Sequence, residues 1–377
     1  MIIPLDKLLT LSTNKYIFTK GVMKAVDHVA NIRNYPEEDL NWKVVPNVLK
    51  LALEEEIKIL YTKGEAVTEG WIIKVVAIIG PTASGKTELS LKISGDSFEI
   101  ISADSVQVYR YMDIGSSKPS QAEMDSVKHY LIDIVDPDYR FTAGDYCIRA
   151  DLALKEVERN GKIPLIVGGT GFYIDSLFGG MDEIPEIDEK TRDDAASEYD
   201  NDPELLFNEL KSIDPEFASK VHVNDRQRII RGVSVYRCTG NPISSYFNIS
   251  EKNINRKKNK IFDILFLGLY INRSDLIDRI DKRVDLMIKN GLVDEVDRLR
   301  AMGYSPALNS MQSIGYAEIN KYIDGIIPLE DAISDIKKNT KRYAKKQMTW
   351  FKKNKNIIWF NQDDIIKIPF IIKNWLN

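Results

Sequence analysis

The chain has 377 residues, 44% of them hydrophobic, which is enough for a sizeable core and, by length, about two or three domains. The formal net charge of −4 excludes a globally basic surface, so any nucleic-acid contact must be local. Two distant cysteines, Cys147 and Cys238, exclude a disulfide framework or a zinc site and fit a reducing cytoplasm.

The N-terminal apolar run is too short for a signal peptide, and no stretch of about eighteen apolar residues suggests a membrane span. The first seventy or so residues read as a separate module, with a helical pattern from Val48 to Leu60. The polar stretch Thr62 to Gly70 reads as a linker. From Ile72 to Ile79 comes a β-branched apolar run, the pattern of a strand buried on both faces. Further runs follow at Phe98 to Ser102, Leu131 to Val135, Pro164 to Val167 and Ile261 to Leu269, with helical stretches such as Asp145 to Arg159 between them. Strand and helix in alternation predict an α/β fold, a parallel sheet flanked by helices. Asp182 to Ser250 is polar and helix-like, which predicts a helical insertion. Amphipathic helices are expected from Ile271 to about Lys355. Met112, Met287, Met302 and Met311 read as core filler. His28, His129 and His222 show no ligand spacing.

Gly80-Pro81-Thr82-Ala83-Ser84-Gly85-Lys86-Thr87 fits the P-loop pattern, entered by a buried strand and left by a helical segment, Glu88 to Ile93. Its glycines let backbone N–H groups turn onto a phosphate, Lys86 adds a full charge, and the Thr87 hydroxyl can ligate Mg²⁺. A kinase or ATPase reading meets resistance. The strand Leu165-Ile166-Val167 ends in Gly168-Gly169-Thr170-Gly171, with no carboxylate at the Walker-B position. A diphosphate leaving group would suit the same loop.

The strand after the P-loop runs into Ala103-Asp104-Ser105-Val106-Gln107-Val108-Tyr109. Ligands of open α/β sheets bind at the carboxyl ends of strands, which puts Asp104 at the edge that holds the P-loop. There it can act as a general base or as a helix N-cap, and the spacing leaves both open. Two stretches are basic: Glu251 to Lys260, and Lys337 to Lys355 with Tyr343, Trp350 and Phe351 interleaved. Each can meet backbone phosphates or be a solvated helix face.

Gly80 to Thr87 together with Ser102 to Arg110 resembles the opening of the tRNA dimethylallyltransferases (the IPP transferase family). Ordered likenesses continue at Met112 to Pro119, His129 to Asp133, Pro164 to Tyr173, Gln227 to Arg231, Gln312 to Tyr316 and Thr340 to Phe351, so the resemblance covers about residues 72 to 360. It departs at Ser116-Ser117, where the family usually has Thr-Ala, and at Lys128, where it has histidine.

The resemblance implies transfer of a dimethylallyl group from its diphosphate to N6 of the adenosine at position 37, beside the anticodon, in tRNAs that read U-starting codons. The products would be N6-isopentenyladenosine and diphosphate. Asp104 would be the general base, Gly80 to Thr87 the diphosphate cradle with Mg²⁺ on Thr87, and Arg273 a group steadying the leaving diphosphate beside Lys86. Residues reading tRNA would be Asp104, Ser105, Val106 and Gln107, then Thr170 and Arg192, then Gln227, Arg228, Ile229, Ile230 and Arg231. The implied fold is P-loop NTPase-like, with a core of 72–181 and 251–377 and an insertion at 182–250. A free-adenylate prenyltransferase and a P-loop small-molecule kinase remain alternatives.

Residues 1–68 fall outside that resemblance. Asn14 to Lys20, Ala25, Lys43 to Pro46 and Leu49 to Ile57 instead resemble the omega subunit of bacterial RNA polymerase, which implies a small helical module and a polymerase contact.

Overall fold

The computed structural model describes residues 58–62, 65–69, 73–182, 184–247 and 262–376. Contacts divide the chain into two units, residues 73–180 with 262–377, and residues 181–261 with 1–72. Most of the omega-like segment and the basic stretch Glu251–Lys260 lie outside the described residues.

The end of the helix expected from Val48 to Leu60 and most of the linker expected after it form two paired antiparallel strands instead, and Val48 to Ile57 lie outside the described residues. Strands β1 (Lys58–Thr62) and β2 (Glu65–Glu69) pair with Leu60 opposite Val67 and Thr62 opposite Glu65.

The larger unit is built on β3 (Ile73–Ile79), β4 (Phe98–Ala103), β5 (His129–Tyr130), β6 (Ile163–Gly168), β7 (Phe262–Leu269) and β8 (Ile358–Phe360). Their order is β5-β4-β6-β3-β7-β8, with every pairing parallel. Val75, Val76, Ala77 and Ile78 of central β3 are fully buried, which explains the uninterrupted apolar run. One face packs on helix Ala143–Arg159 through Tyr146, Ala150, Leu154 and Val157. The other packs on helix Lys86–Ser94 and the C-terminal helix Ile368–Leu376 through Leu89, Ile368 and Ile372. Lys74 Nζ closes that C-terminus, donating to the carbonyls of Trp375 (3.1 Å) and Leu376 (2.8 Å), groups that a helix end leaves unpaired.

Two sequence readings change here. Leu131 to Val135 is not a strand, because Leu131 and Asp133 take positive φ (64° and 55°) and break the extended path. Pairing with β4 falls instead on His129 and Tyr130, and Val135 only bridges Tyr109. The sheet also gains β8 after the last long helix, from the short run Ile357 to Phe360. Met112 and Met311 are core, but Met302 is 46% exposed.

In the smaller unit, helices Glu189–Asn201, Pro203–Ile213, Pro215–Ala218 and Arg226–Thr239 enclose Tyr199, Leu206, Leu210, Ile229 and Val233. Asp188, Asp202, Asp214 and Asp225 cap their N-termini, and Pro203 and Pro215 occupy first helical positions.

Candidate active site

Strand β3 runs straight into the phosphate loop. Ala83 and Gly85 take left-handed φ values of 62° and 89°, the turn that aims successive N–H groups inward ahead of helix Lys86–Ser94. The Lys86 ammonium folds back to donate to Pro81 O at 2.7 Å. Burial, then the nearby Arg283 charge, pulls the Lys86 pKa down to about 7, against a smaller opposing pull from Asp104.

Asp104 follows β4 in the same pocket. One of its oxygens, Oδ1, accepts from the N–H groups of Val106 (2.8 Å) and Gln107 (3.3 Å). This is a capped turn, so the capping reading holds for that oxygen, although no helix follows. Oδ2 has no such partner among the described residues. Among the residues lining this pocket Asp104 is the one carboxylate, beside Thr82, Lys86, Thr87, Ser102, Gln107, Arg283, Tyr343 and Gln347. Thr170 ties the carboxyl ends of neighbouring β4 and β6 together. Its hydroxyl accepts from Ser105 N–H at 3.2 Å, and its own N–H donates to Ala103 O at 3.1 Å. Gln107 Oε1 accepts from Ser102 Oγ at 3.0 Å.

Several groups here were not singled out from the sequence. Gln347 is 6% exposed; its Oε1 accepts from Thr82 N–H (2.8 Å) and its Nε2 donates to Gly169 O (2.9 Å), so it bridges the phosphate loop and the end of β6. Tyr343 stands one helical turn earlier, lining the same pocket, and burial, helped by Asp104, pushes its phenol up to about 12. His129 lines the pocket as well, its Nδ1 2.7 Å from Val127 O, and burial lowers its pKa. The signal for Gln347 and Tyr343 was their i, i+4 spacing inside the Thr340 to Phe351 block.

Helix Arg273–Lys289 brings arginine to the pocket, but not the expected one. Arg273 heads the helix, is exposed, and is not among the pocket residues. Arg283 lines it, and Arg279, one turn before, lies with Nη1 3.9 Å from where a Cβ on Gly85 would stand. Both flank the buried apolar positions Ile280 and Val284, which turn their side of the helix inward. Arg283 also lines an adjoining groove of about 520 Å³, with Asp113, Ile114, Lys118, Leu286 and Met287.

Of the expected tRNA-reading residues, Ser105, Val106, Gln107 and Thr170 lie around Asp104. Arg192 sits in the helical unit, paired with Glu189 (3.3 Å) and Asp193 (3.0 Å). Gln227, Arg228 and Arg231 are exposed on helix Arg226–Thr239, whereas Ile229 and Ile230 are buried in that unit's core and cannot touch RNA directly. On helix Leu329–Phe351, Lys337 and Lys341 pair with Asp285 (2.5 Å) and Asp281 (2.7 Å). Arg342, Lys345 and Lys346 are exposed on one face. The interleaved aromatics serve packing: Trp350 Nε1 donates to Asp175 at 2.7 Å and Phe351 is buried.

A family model described as IPP transferase matches residues 107–354. The tRNA dimethylallyltransferase of Thermoanaerobacter sp. (strain X514) is 45% identical over 309 residues, 80% of this chain and 96% of that one. The tRNA dimethylallyltransferase of Acetivibrio thermocellus is 44% identical over 308 residues, 80% of this chain and 95% of its own. Among solved structures, the tRNA isopentenylpyrophosphate transferase of Bacillus halodurans is similar with a TM-score of 0.58 and 36% identity, covering 80% of this chain and 96% of that one. A eukaryotic dimethylallyltransferase described as acting on tRNA is similar with a TM-score of 0.63 and 29% identity, covering 78% and 76%.

Proposed function

The chain belongs to the IPP transferase family, and from that premise we propose that it transfers a dimethylallyl group from dimethylallyl diphosphate to the N6 amine of an adenosine beside the anticodon of tRNA. The single observation that carries the reading is one carboxylate, Asp104, in the pocket of a phosphate loop whose β6 neighbour ends in glycines and not in a Walker-B acid. Such a pocket suits proton removal next to a departing diphosphate better than hydrolysis of a γ-phosphate.

In the reaction the C–N bond forms as the allylic C–O bond breaks, and the adenine amine loses one proton. Asp104 Oδ1 is anchored by two backbone donors, which leaves Oδ2 to accept that proton. The loop N–H groups, Lys86 and Arg283 receive the negative charge that grows on the diphosphate. An arriving diphosphate would favour the protonated form of Lys86, which is only part-charged near neutrality without it. Arg273 is exposed at the start of its helix and Arg283 lines the pocket, so Arg283 joins Arg273 as a candidate for steadying the leaving diphosphate.

No cluster of three His, Cys, Asp or Glu side chains could cage a metal among the described residues. The Thr87 hydroxyl in the pocket fits Mg²⁺, which binds with few protein ligands and completes its shell with phosphate oxygens and water. When bound there it supplies charge neutralisation of the diphosphate.

For tRNA we assign Ser105 to Gln107 and Thr170 to the region of the target base, which must leave its stack to enter. Gln227, Arg228, Arg231 and Arg192, with Arg342, Lys345 and Lys346, would meet backbone phosphates. A cytoplasmic location fits such a substrate, and no described helix is long and apolar enough to cross a membrane. The polymerase contact of residues 1–68 rests on the omega-like sequence alone, and co-purification of that segment with polymerase is its test. The proposed activity is tested by mass analysis of tRNA nucleosides after incubation with dimethylallyl diphosphate, with AMP as the competing acceptor. N6-isopentenyladenosine in tRNA is expected. Modified AMP only, or no product, refutes the assignment.

A further inference from the structure

The chemistry above gives no role to the Gln312-Ser313-Ile314-Gly315-Tyr316 block, yet that block ends at a buried carboxylate behind the pocket wall. Glu295, on helix Leu292–Ala301, is 1% exposed, and no cation pairs with it among the described residues. Its Oε2 accepts from the N–H groups of Asp113 (3.0 Å) and Ile114 (2.8 Å). Its Oε1 accepts from Gly115 N–H (3.1 Å) and from the Tyr316 hydroxyl (2.7 Å). Three successive backbone donors on one carboxylate make an internal anion nest.

The segment so held is a strained one. Tyr111 and Ser117, at its two ends, take left-handed φ values of 67° and 49°. Backbone of this kind persists only where its surroundings over-determine it. The Tyr316 ring adds a steric stop, because a Cβ on Gly115 would stand 2.3 Å from its Cε2. The same segment builds the wall opposite the phosphate loop. Ser116, Ser117 and Pro119 line the pocket with Lys86 and Thr87, and Asp113, Ile114 and Lys118 line the adjoining groove. Ser117 O also accepts from Gln107 Nε2 at 3.3 Å, which links this wall to the Asp104 turn.

We infer that Glu295, with Tyr316, is a positioning pair for the allylic-diphosphate side of the pocket, fixing residues 112–117 in their binding geometry before substrate arrives. The inference rests on the proposed prenyl transfer. Glutamine cannot replace Glu295, since an amide turned either way sets its NH₂ against a backbone N–H. Phenylalanine at 316 removes one of four hydrogen bonds and leaves the nest.

The test uses the full chain, Glu295→Gln and Tyr316→Phe, with KM for each substrate, kcat per folded protein, tRNA affinity and a thermal melt. Wild-type turnover is measured first. An inactive wild type refutes the proposed function and this inference with it. With an active wild type, Glu295→Gln is expected to raise KM for dimethylallyl diphosphate about tenfold, with kcat and tRNA affinity within about twofold. Tyr316→Phe should move the same constant about two- to threefold, and it carries the test if Glu295→Gln does not fold. A lowered melting temperature with KM unchanged, or equal rises in both KM values, would overturn the inference.

Discussion

Replacing Gln347 by leucine isolates the bridge between the phosphate loop and the end of β6. The two side chains are close in size, so little cavity forms, and the cost falls on two backbone groups that lose their partners. Thr82 N–H faces the pocket, where water can replace the lost acceptor, so its loss is worth about 1 kcal/mol. Gly169 O is the more enclosed of the two, since its bond to Gln347 Nε2 is buried and a leucine methyl would stand where that donor was. Its loss is worth about 1–3 kcal/mol, for a sum of about 2–4 kcal/mol. Against a typical stability of about 5–15 kcal/mol the protein still folds. The assay is urea unfolding, in which the midpoint should fall while the slope stays constant. In parallel, kcat/KM for dimethylallyl diphosphate should drop at least about tenfold as the loop crest is released. A stability change below about 0.5 kcal/mol with unchanged kinetics would refute the bridging role.

Asp104→Asn keeps the Oδ1 acceptor that caps Val106 and Gln107, so the turn and tRNA affinity should hold while single-turnover transfer falls about 10²–10⁴-fold; a near-normal rate would remove Asp104 from the chemistry. Lys86→Ala should weaken dimethylallyl diphosphate binding, whereas Arg228→Ala with Arg231→Ala should raise KM for tRNA and flatten the salt dependence of its binding; identical defects in both variants would contradict this division. Lys86 also predicts a pH signature. Its folded pKa of about 7 lies below its ordinary value of 10.5, so the unfolded chain binds more protons between the two and the wild type gains stability as pH rises through that window. Lys86→Met should therefore be more stable than wild type at pH 6, with the advantage shrinking towards pH 10; a pH-independent difference in urea midpoint would show that Lys86 is not depressed.

The chain read alone was sufficient for the strand–loop–helix around Gly80 to Thr87, for the parallel sheet, and for Asp104 at the sheet edge beside it. Each of these rests on local chemistry. A doubly buried strand needs an unbroken apolar run, a phosphate cradle needs glycines at positive φ, and parallel strands place their carboxyl ends at one edge. The pocket's remaining walls come from residues far apart in sequence, where no local pattern speaks. Gln347 and Thr82 are 265 positions apart, and Glu295 and Asp113 are 182 apart. Arg283 instead of Arg273 enters the pocket because packing of Ile280 and Val284 turns that part of the helix inward, while its first turn stays in solvent. Ile229 and Ile230 shared a motif with Arg228 and Arg231, but a helix sends adjacent residues about 100° apart, so two became core and two stayed exposed. The C-terminal strand and helix were unreadable for the same reason: the short run Ile357 to Phe360 becomes a strand only because β7 offers it an edge.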